Sequence, residues 1–387
     1  MTRGLPLALV VLVLPYAWAP AYRFPEPAPF SGPVWLNPYA GVSPTWQRAN
    51  LHAHGRAWRG FTNGKQTDDE IVRRYRELGY DVPGISNYQR ISTPSDPAAV
   101  PLYEHGYNIG KHHQLAIGAR NVAWFDFPLW QSVSQQQFVI NRVKQGAALV
   151  ALAHPNSRYA YTTEDLSKLT GYDLIEVVNG PFTAEESWDA VLSAGRPVWG
   201  VANDDTHDLL DPRRTAAAWN MIAAPTSRAD DILAALKKGQ SYSVSRTGAL
   251  TASGLTTLSA VEVAGDTLSV VCAGQPSTFT FIGQNGVKRK TVKSAQAAQY
   301  RLTDADTYVR VVIEAPQTVL YLNPVVRYNG RELSAAAASV DAAATWTKRG
   351  GVLVGCAALG LLMWRRRTPA PSAAAPQVLA DAKRRTA

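Results

Sequence analysis

The sequence predicts an α/β fold: a parallel sheet of seven strands, closed into a barrel or left open, followed by a small all-β region and a C-terminal membrane segment. Three observations predict it. Apolar runs at 49–54, 82–86, 114–118, 148–153, 173–178, 197–202 and 219–224 alternate with helical stretches, the pattern of repeated β–α units. From about 250 to 333 the apolar period falls to two, as half-buried strands require. Finally, Gly350 to Trp364 carries no charge over 15 residues and is closed by Arg365, Arg366 and Arg367.

The helices have readable starts and stops. Thr67-Asp68-Asp69-Glu70 is a capping box, in which the Thr hydroxyl accepts from an orphan amide and Glu70 reaches back. The helix it opens carries Ile71, Tyr75 and Leu78 on one face and stops at Gly79. Ser134 starts a second helix, Thr183 with Glu186 a third ending at Gly195, and Ser227 a fourth ending at Gly239. In the distal region 259–263, 267–271, 278–282, 308–313 and 319–322 read as strands of a small sandwich, with Asn285-Gly286 as a hairpin turn. Lys288-Arg289-Lys290 beyond that turn reads as a solvated strand edge.

The ends carry targeting signals. Leu5 to Leu14 is a short apolar run after Arg3, followed by Ala17-Trp18-Ala19, so 1–21 reads as a signal peptide or, because Pro20 disfavours cleavage there, an uncleaved anchor. Residues 22–45 form a Pro- and aromatic-rich extended segment, 46–240 the α/β region, 250–333 the sandwich and 334–349 a linker. At 350–364 a short transmembrane helix is expected, with Trp346 and Trp364 at the interfaces and Lys348, Arg349 and the Arg triplet snorkelling. The triplet places the 365–387 tail in the cytoplasm and the main domain outside, so the chain reads as exported and membrane-anchored.

Charge and cysteine usage exclude other classes. The net charge of +9 includes six cations and one acid from Arg365 onward, so the rest carries only +9 − 5 = +4, too mild and too evenly spread for a nucleic-acid binder. The two cysteines, Cys272 and Cys356, lie in unrelated regions and supply no disulfide framework.

The chemistry lies in the histidines. All 7 fall between residues 52 and 207, at 52, 54, 105, 112, 113, 154 and 207. His52 and His54 end the first strand, and positions two apart in a strand face one way. His154 follows the 148–153 run, Asp205 and His207 follow the 197–202 run, and Glu104 and His113 flank the 114–118 run. The ligand types therefore gather at the C-terminal ends of successive strands, where α/β barrels build their sites. Each piece has an ordinary reading: a buried histidine bonded to backbone, an Asp204-Asp205 helix cap, a surface Glu104. Together they point to a metal site, and a mixed imidazole and carboxylate set suits Zn, Mn or Fe.

Asn50-Leu51-His52-Ala53-His54, Glu104, His113-Gln114-Leu115-Ala116-Ile117-Gly118, Ala153-His154-Pro155 and Asn203-Asp204-Asp205-Thr206-His207 resemble, in order and spacing, the motifs of the polymerase and histidinol phosphatase (PHP) family. The resemblance implies a distorted (β/α)7 barrel holding up to three divalent metals, in a family whose characterised members mostly hydrolyse phosphoesters. The chain departs from the pattern at Ser86-Asn87-Tyr88-Gln89, where the family carries Thr-Asp-His-Asn, and at Gly60, where it carries a further ligand. Both departures remove ligands of the third metal, so the resemblance implies two ions. His52, His54, Glu104 and Asp205 would hold one, and Glu104, His113 and His154 the other, with Glu104 shared and His112 the alternative to His113. His207, as the remaining ligand of the third position, Tyr88 and Asp204 are then the catalytic candidates. His105 has no assigned place, and Arg90 and Lys111 lie near enough to the motifs to read a phosphate.

The expected activity is metal-dependent hydrolysis of a phosphoester, small or lipid-linked, by a metal-bridging hydroxide. An ester or carbamate hydrolase and a catalytically inactive metal-containing binding module are the alternatives. Oligomeric state is not legible.

Overall fold

The computed structural model describes residues 14–42, 45–92, 94–96, 99–158, 160–248, 255–331, 333 and 336–367, with 365–367 as backbone. Of the N-terminal signal, only residues from 14 onward fall within this range, and 368–387 of the basic tail lie outside it. Ala19–Asp341 forms one compact unit.

In chain order the strands are β1 (Tyr22–Arg23), β2 (Val34–Leu36), β3 (Trp46–Asn50), β4 (Val82–Pro83), β5 (Leu102–His105), β6 (Gln114–Ala119), β7 (Ala147–Leu152), β8 (Leu174–Asn179), β9 (Phe182–Thr183), β10 (Trp199–Asn203), β11 (Ala218–Ala223) and β12 (Ser241–Arg246). The distal set is β13 (Thr257–Ala264), β14 (Thr267–Ala273), β15 (Ser277–Gly283), β16 (Val287–Ala295), β17 (Ala297–Arg301), β18 (Tyr308–Glu314), β19 (Thr318–Tyr328) and β20 (Ser339–Val340). The helices are α1 (Asp68–Glu77), α2 (Val133–Gly146), α3 (Thr163–Lys168), α4 (Glu185–Ser193), α5 (Ala229–Lys237) and α6 (Ala342–Arg367). Each of the seven apolar runs overlaps a strand, those at 49–54 and 82–86 by two residues only, and Thr67 with Glu70 forms the capping box of α1. Asn285 and Gly286 sit at φ 60° and 69° between β15 and β16, the positive values their hairpin needs.

The expected (β/α)7 barrel is not formed. One sheet runs β10-β8-β7-β6-β5, and another runs β16-β15-β18-β19-β12-β11-β3-β4. Among the described residues only β3–β4, β7–β8 and β8–β10 pair as strands in parallel, whereas β5–β6, β6–β7 and every pair from β3 through β11, β12 and β19 are antiparallel. For β5 and β6 the connection explains why. β5 reaches β6 through residues 106–113 alone, too few for the helical crossover that a parallel pair requires. The two sheets meet at isolated bridges, Ala53 with Thr206 and Tyr88 with Glu104.

The distal strands are not an independent sandwich either. β15, β16, β18 and β19 extend the sheet that ends in β3 and β4, and β13-β14-β17 forms a separate three-stranded sheet. One apolar cluster takes in Trp219 and Tyr242 from the site side with Val261, Val270, Phe279, Phe281 and Leu320 from the distal strands. A second, including Leu51, Leu102, Leu115, Leu149, Leu174 and Val201, lies within the strands that carry the histidines. Arg310 of β18, 2% exposed, grips α4: its guanidinium donates to both Asp189 oxygens at 2.8 and 2.6 Å and to Glu185 at 2.8 Å.

The expected transmembrane segment is also corrected. Residues 350–364 lie within α6, yet among the described residues no helix is long and apolar enough to cross a membrane. The uncharged run spans 15 residues, against about 20 for a typical hydrocarbon core. Four glycines (350, 351, 355 and 360) dilute it further. With the anchor falls the charge argument that placed the main domain outside a membrane.

Candidate metal centre

The side chains converge where the two sheets meet. His52 and His54 follow β3, Glu104 lies in β5, His113 directly precedes β6, His154 follows β7, and Asp205 and His207 follow β10. Backbone bonds hold the seam, with His54 N donating to Thr206 O at 2.9 Å and Asp205 N to His52 O at 2.8 Å. Four sets of three side chains each place ligand atoms within 4.8 Å of one another: His52/His54/Glu104, His52/His154/Asp205, His54/Asp205/His207 and Glu104/His113/His154.

The spacing is that of a coordination shell. His52 Nε2 lies 3.1 Å from His54 Nε2, 3.5 Å from Glu104 Oε2 and 3.2 Å from Asp205 Oδ1. His54 Nε2 lies 3.1 Å from Glu104 Oε2 and 3.3 Å from Asp205 Oδ1. Ligand atoms about 2.0–2.1 Å from a tetrahedral centre stand about 3.3 Å apart. The other carboxylate oxygen, Glu104 Oε1, lies 2.7 Å from His113 Nδ1 and 3.0 Å from His154 Nε2. Glu104 thus faces both sets. Glu104 Oε2, Asp205 Oδ1 and His207 Nε2 are buried without a hydrogen-bond partner, a costly condition unless the donor set serves a cation.

Glu176, which the sequence reading did not single out, organises this centre. Its Oε1 takes His52 Nδ1 at 2.8 Å and Asn203 Nδ2 at 2.8 Å, and its Oε2 takes the His154 amide at 2.7 Å and Asn179 Nδ2 at 2.9 Å. With Nδ1 donating to Glu176, His52 turns Nε2 toward the cluster, where its lone pair would serve a cation once the proton is lost, the carboxylate–histidine arrangement found behind metal ligands. The sequence did carry a signal: a Glu in the apolar strand Leu174-Ile175-Glu176-Val177-Val178 must be partnered if it is buried. Gly106 is another missed residue, for a Cβ there would come within 2.3 Å of the His113 ring. His154 at φ 32° and Asp205 at φ 48° hold left-handed backbone, a strain of a kind that collects at functional sites.

Charges interlock at the centre. Burial alone would lower the pKa of His52, but Asp205, Glu176 and Glu104 hold it well above the usual imidazole value. Burial likewise opposes ionisation of Glu104, but His113 and His52 hold its carboxyl well below the ordinary range. Burial lowers His113, against the pull of Glu104, and lowers His207 to about 4 with help from His54.

Other expected residues are placed differently. Asp204 is fully buried and its carboxylate accepts from Tyr75 Oη at 2.5 Å and from the amides of Ala216, Ala217 and Ala218 at 2.8 Å, so it anchors the start of β11 and stands outside the four ligand sets. His112 is bonded to Asn108 and His105 to Gln114 and Phe125, leaving His113 as the member of this trio in the cluster. Tyr88 stacks on His54, with ring centroids 4.4 Å apart. His207 stacks on the same ring at 4.2 Å. Asn87 ties Gly55, Asp68 and Ser92 together. Arg90 is exposed and lies off the cavity.

A cavity of about 370 Å³ opens above the cluster, lined by Tyr88, His113, His154, Asp205 and His207. Three cations also line it: Lys111, Arg158 and Arg214. Arg214 donates to Asn179 Oδ1 at 2.9 Å and lies 3.6 Å from Asp205 Oδ2.

No protein-family model matches the chain, and no curated protein matches it. Among solved structures, a two-domain protein containing a predicted PHP-like metal-dependent phosphoesterase from Bacteroides vulgatus ATCC 8482 shares 14% identity, over 80% of this chain and 92% of that one, with a TM-score of 0.39.

Proposed function

We propose that the chain is a metal-dependent hydrolase of phosphoesters. Its centre takes two divalent ions, one held by His52, His54, Glu104 and Asp205 and the other by Glu104, His113 and His154. The carrying observation is the set of five N and O separations of 3.1–3.5 Å around the first position, with two of its carboxylate oxygens otherwise unbonded. This donor set fits Zn, Mn or Fe. When bound, such a pair of ions lowers the pKa of a shared water and neutralises charge that develops on phosphoryl oxygens.

The chain's own groups account for the rest. Lys111, Arg158 and Arg214 line the cavity and attract an anionic ester, which favours a phosphoester over a neutral ester or carbamate. His207 Nδ1–H donates to Asp205 O at 3.1 Å, leaving a lone pair on Nε2. Burial keeps this imidazole neutral at pH 7, so Nε2 accepts a proton rather than donating one. Burial and the Glu104 charge keep Tyr88 a phenol, a hydrogen-bond donor and not a nucleophile. In the net reaction, water's oxygen forms the new P–O bond, the bond to the alcohol oxygen breaks, and a proton from water ends on that alcohol.

Elemental analysis of the full chain, with release of 4-nitrophenol from 4-nitrophenyl phosphate in added Mn²⁺ or Zn²⁺, tests the reading. Two ions per chain and chelator-sensitive turnover are expected. Full metal content in a His52→Ala, Asp205→Ala double variant would refute the centre. Cleavage of carboxylesters but not phosphoesters would refute the substrate class.

A further inference from the structure

One feature beside the cavity takes no part in the chemistry above. Trp58 and Trp124 are 44% and 59% exposed, and their rings meet edge to face with centroids 5.9 Å apart. They belong to distant stretches of chain, so the pair is made by the fold. The Trp58 indole N–H donates to Tyr88 O at 2.8 Å, and the Tyr88 side chain lines the cavity. Trp124 is fixed in turn, its carbonyl accepting from Tyr107 Oη at 3.2 Å.

The backbone pays for this placement. Trp58 and Arg59 stand at φ 52° and 56°, left-handed values that are a genuine outlier for a bulky residue. A tryptophan left exposed by chance needs no such strain and no anchor for its N–H. A rigid, half-exposed aromatic pair beside a cationic cavity has the features of a recognition subsite: an apolar face next to a few placed charges.

We infer that Trp58 and Trp124 form a platform for a flat ring in the leaving group of the ester, so that the preferred substrates are phosphoesters of ring-bearing alcohols. The inference rests on the proposed anion-binding centre. Lys111, Arg158 and Arg214 hold the phosphoryl end in the cavity, and the ring lies outward past Tyr88 against the indoles. Edge-to-face and offset contacts with such rings are favourable beyond the area they bury. The indole N–H is turned inward to Tyr88 O, so Trp58 presents its apolar face and not its donor.

The test is calorimetric titration of the full chain, preincubated with Mn²⁺, with phenylphosphonate and methylphosphonate, neither of which has an ester to cleave. Phenylphosphonate is expected to bind about ten-fold more tightly. In Trp124→Ala and in Trp58→Phe, which keeps a ring but loses the anchoring N–H, that ratio should fall toward one. Trp130→Ala, which removes a tryptophan that is 67% exposed outside the pair, should leave the ratio in place. Equal affinities in the unsubstituted chain would overturn the platform while leaving the anion-binding centre standing. Survival of the preference in both platform variants would overturn it too, as would its loss in Trp130→Ala. Binding of neither phosphonate would sink the anion-binding centre and the platform with it.

Discussion

Replacing Glu176 with Gln tests the organisation of the centre without touching a candidate ligand. The carboxylate accepts four hydrogen bonds, two on each oxygen, from His52 Nδ1, Asn203 Nδ2, the His154 amide and Asn179 Nδ2. Glutamine keeps the volume but turns one oxygen into a donor. If the NH₂ takes the Oε1 position, it faces Asn203 Nδ2 and drives the His52 proton from Nδ1 to Nε2, which closes the lone pair a metal needs. If it takes the Oε2 position, it faces two donors, the His154 amide and Asn179. The first orientation loses one bond and reverses another, the second loses two, and in a fully buried site either should cost about 3 kcal/mol. Metal affinity should fall about 10- to 100-fold. Competition against a chromophoric chelator measures the affinity, and denaturant unfolding of the chelated protein measures the stability. Unchanged values in both would refute the role given to Glu176 and the tautomer assigned to His52.

Three further outcomes follow from the structure. Removing Arg310 by substitution with Ala strands Asp189 in a buried position and should cost about 3–5 kcal/mol in urea unfolding; a loss under 1 kcal/mol would show that β18 and α4 are held by apolar packing. In the chelated protein, His52's raised pKa gives stability that is present below about 6.5 and lost as pH rises through the folded value, while the depressed pKa of Glu104 gives stability lost as pH falls below its ordinary 4.5. The lowered pKa values of His105, His112, His113 and His207 oppose this, costing stability as pH falls below about 6.5, so chelated protein should melt highest near pH 6.5. Metal uptake at pH 7 should release about one proton, read as a buffer-dependent binding enthalpy; no proton release would contradict a protonated His52.

Much of the centre was legible in the sequence because histidine pairs and lone carboxylates at strand ends have few other uses. His52 and His54 share a side because they stand two apart, and the 148–153 and 197–202 runs fixed where His154 and Asp205 would emerge. Strand direction was not legible. An apolar run gives burial and period but not polarity, and four-residue β5, Leu102-Tyr103-Glu104-His105, offers no run at all. The short 106–113 connection was the one cue that β5 and β6 run antiparallel. The C-terminal reading failed for a related reason, since cations bracketing an apolar stretch describe its ends and say nothing about whether 15 residues suffice.

The most informative letters were the interruptions. Glu176 and Asn220 interrupt apolar strands, Asn50 and Asn203 end theirs, and all four are buried. Where the ladder lapses, their side chains take over its bonds: Leu51 N donates to Asn203 Oδ1 at 2.7 Å, Asp204 N to Asn50 Oδ1 at 2.9 Å and Ala202 N to Asn220 Oδ1 at 2.8 Å. A polar residue in a core strand costs free energy unless it is fully bonded, so a run of them signals a place where backbone pairing is incomplete. His52, His54, Glu104 and Asp205 emerge on the two sides of that seam, where their ligand atoms meet. The seam and the centre are therefore one feature, and the asparagines join the sheets on its two sides.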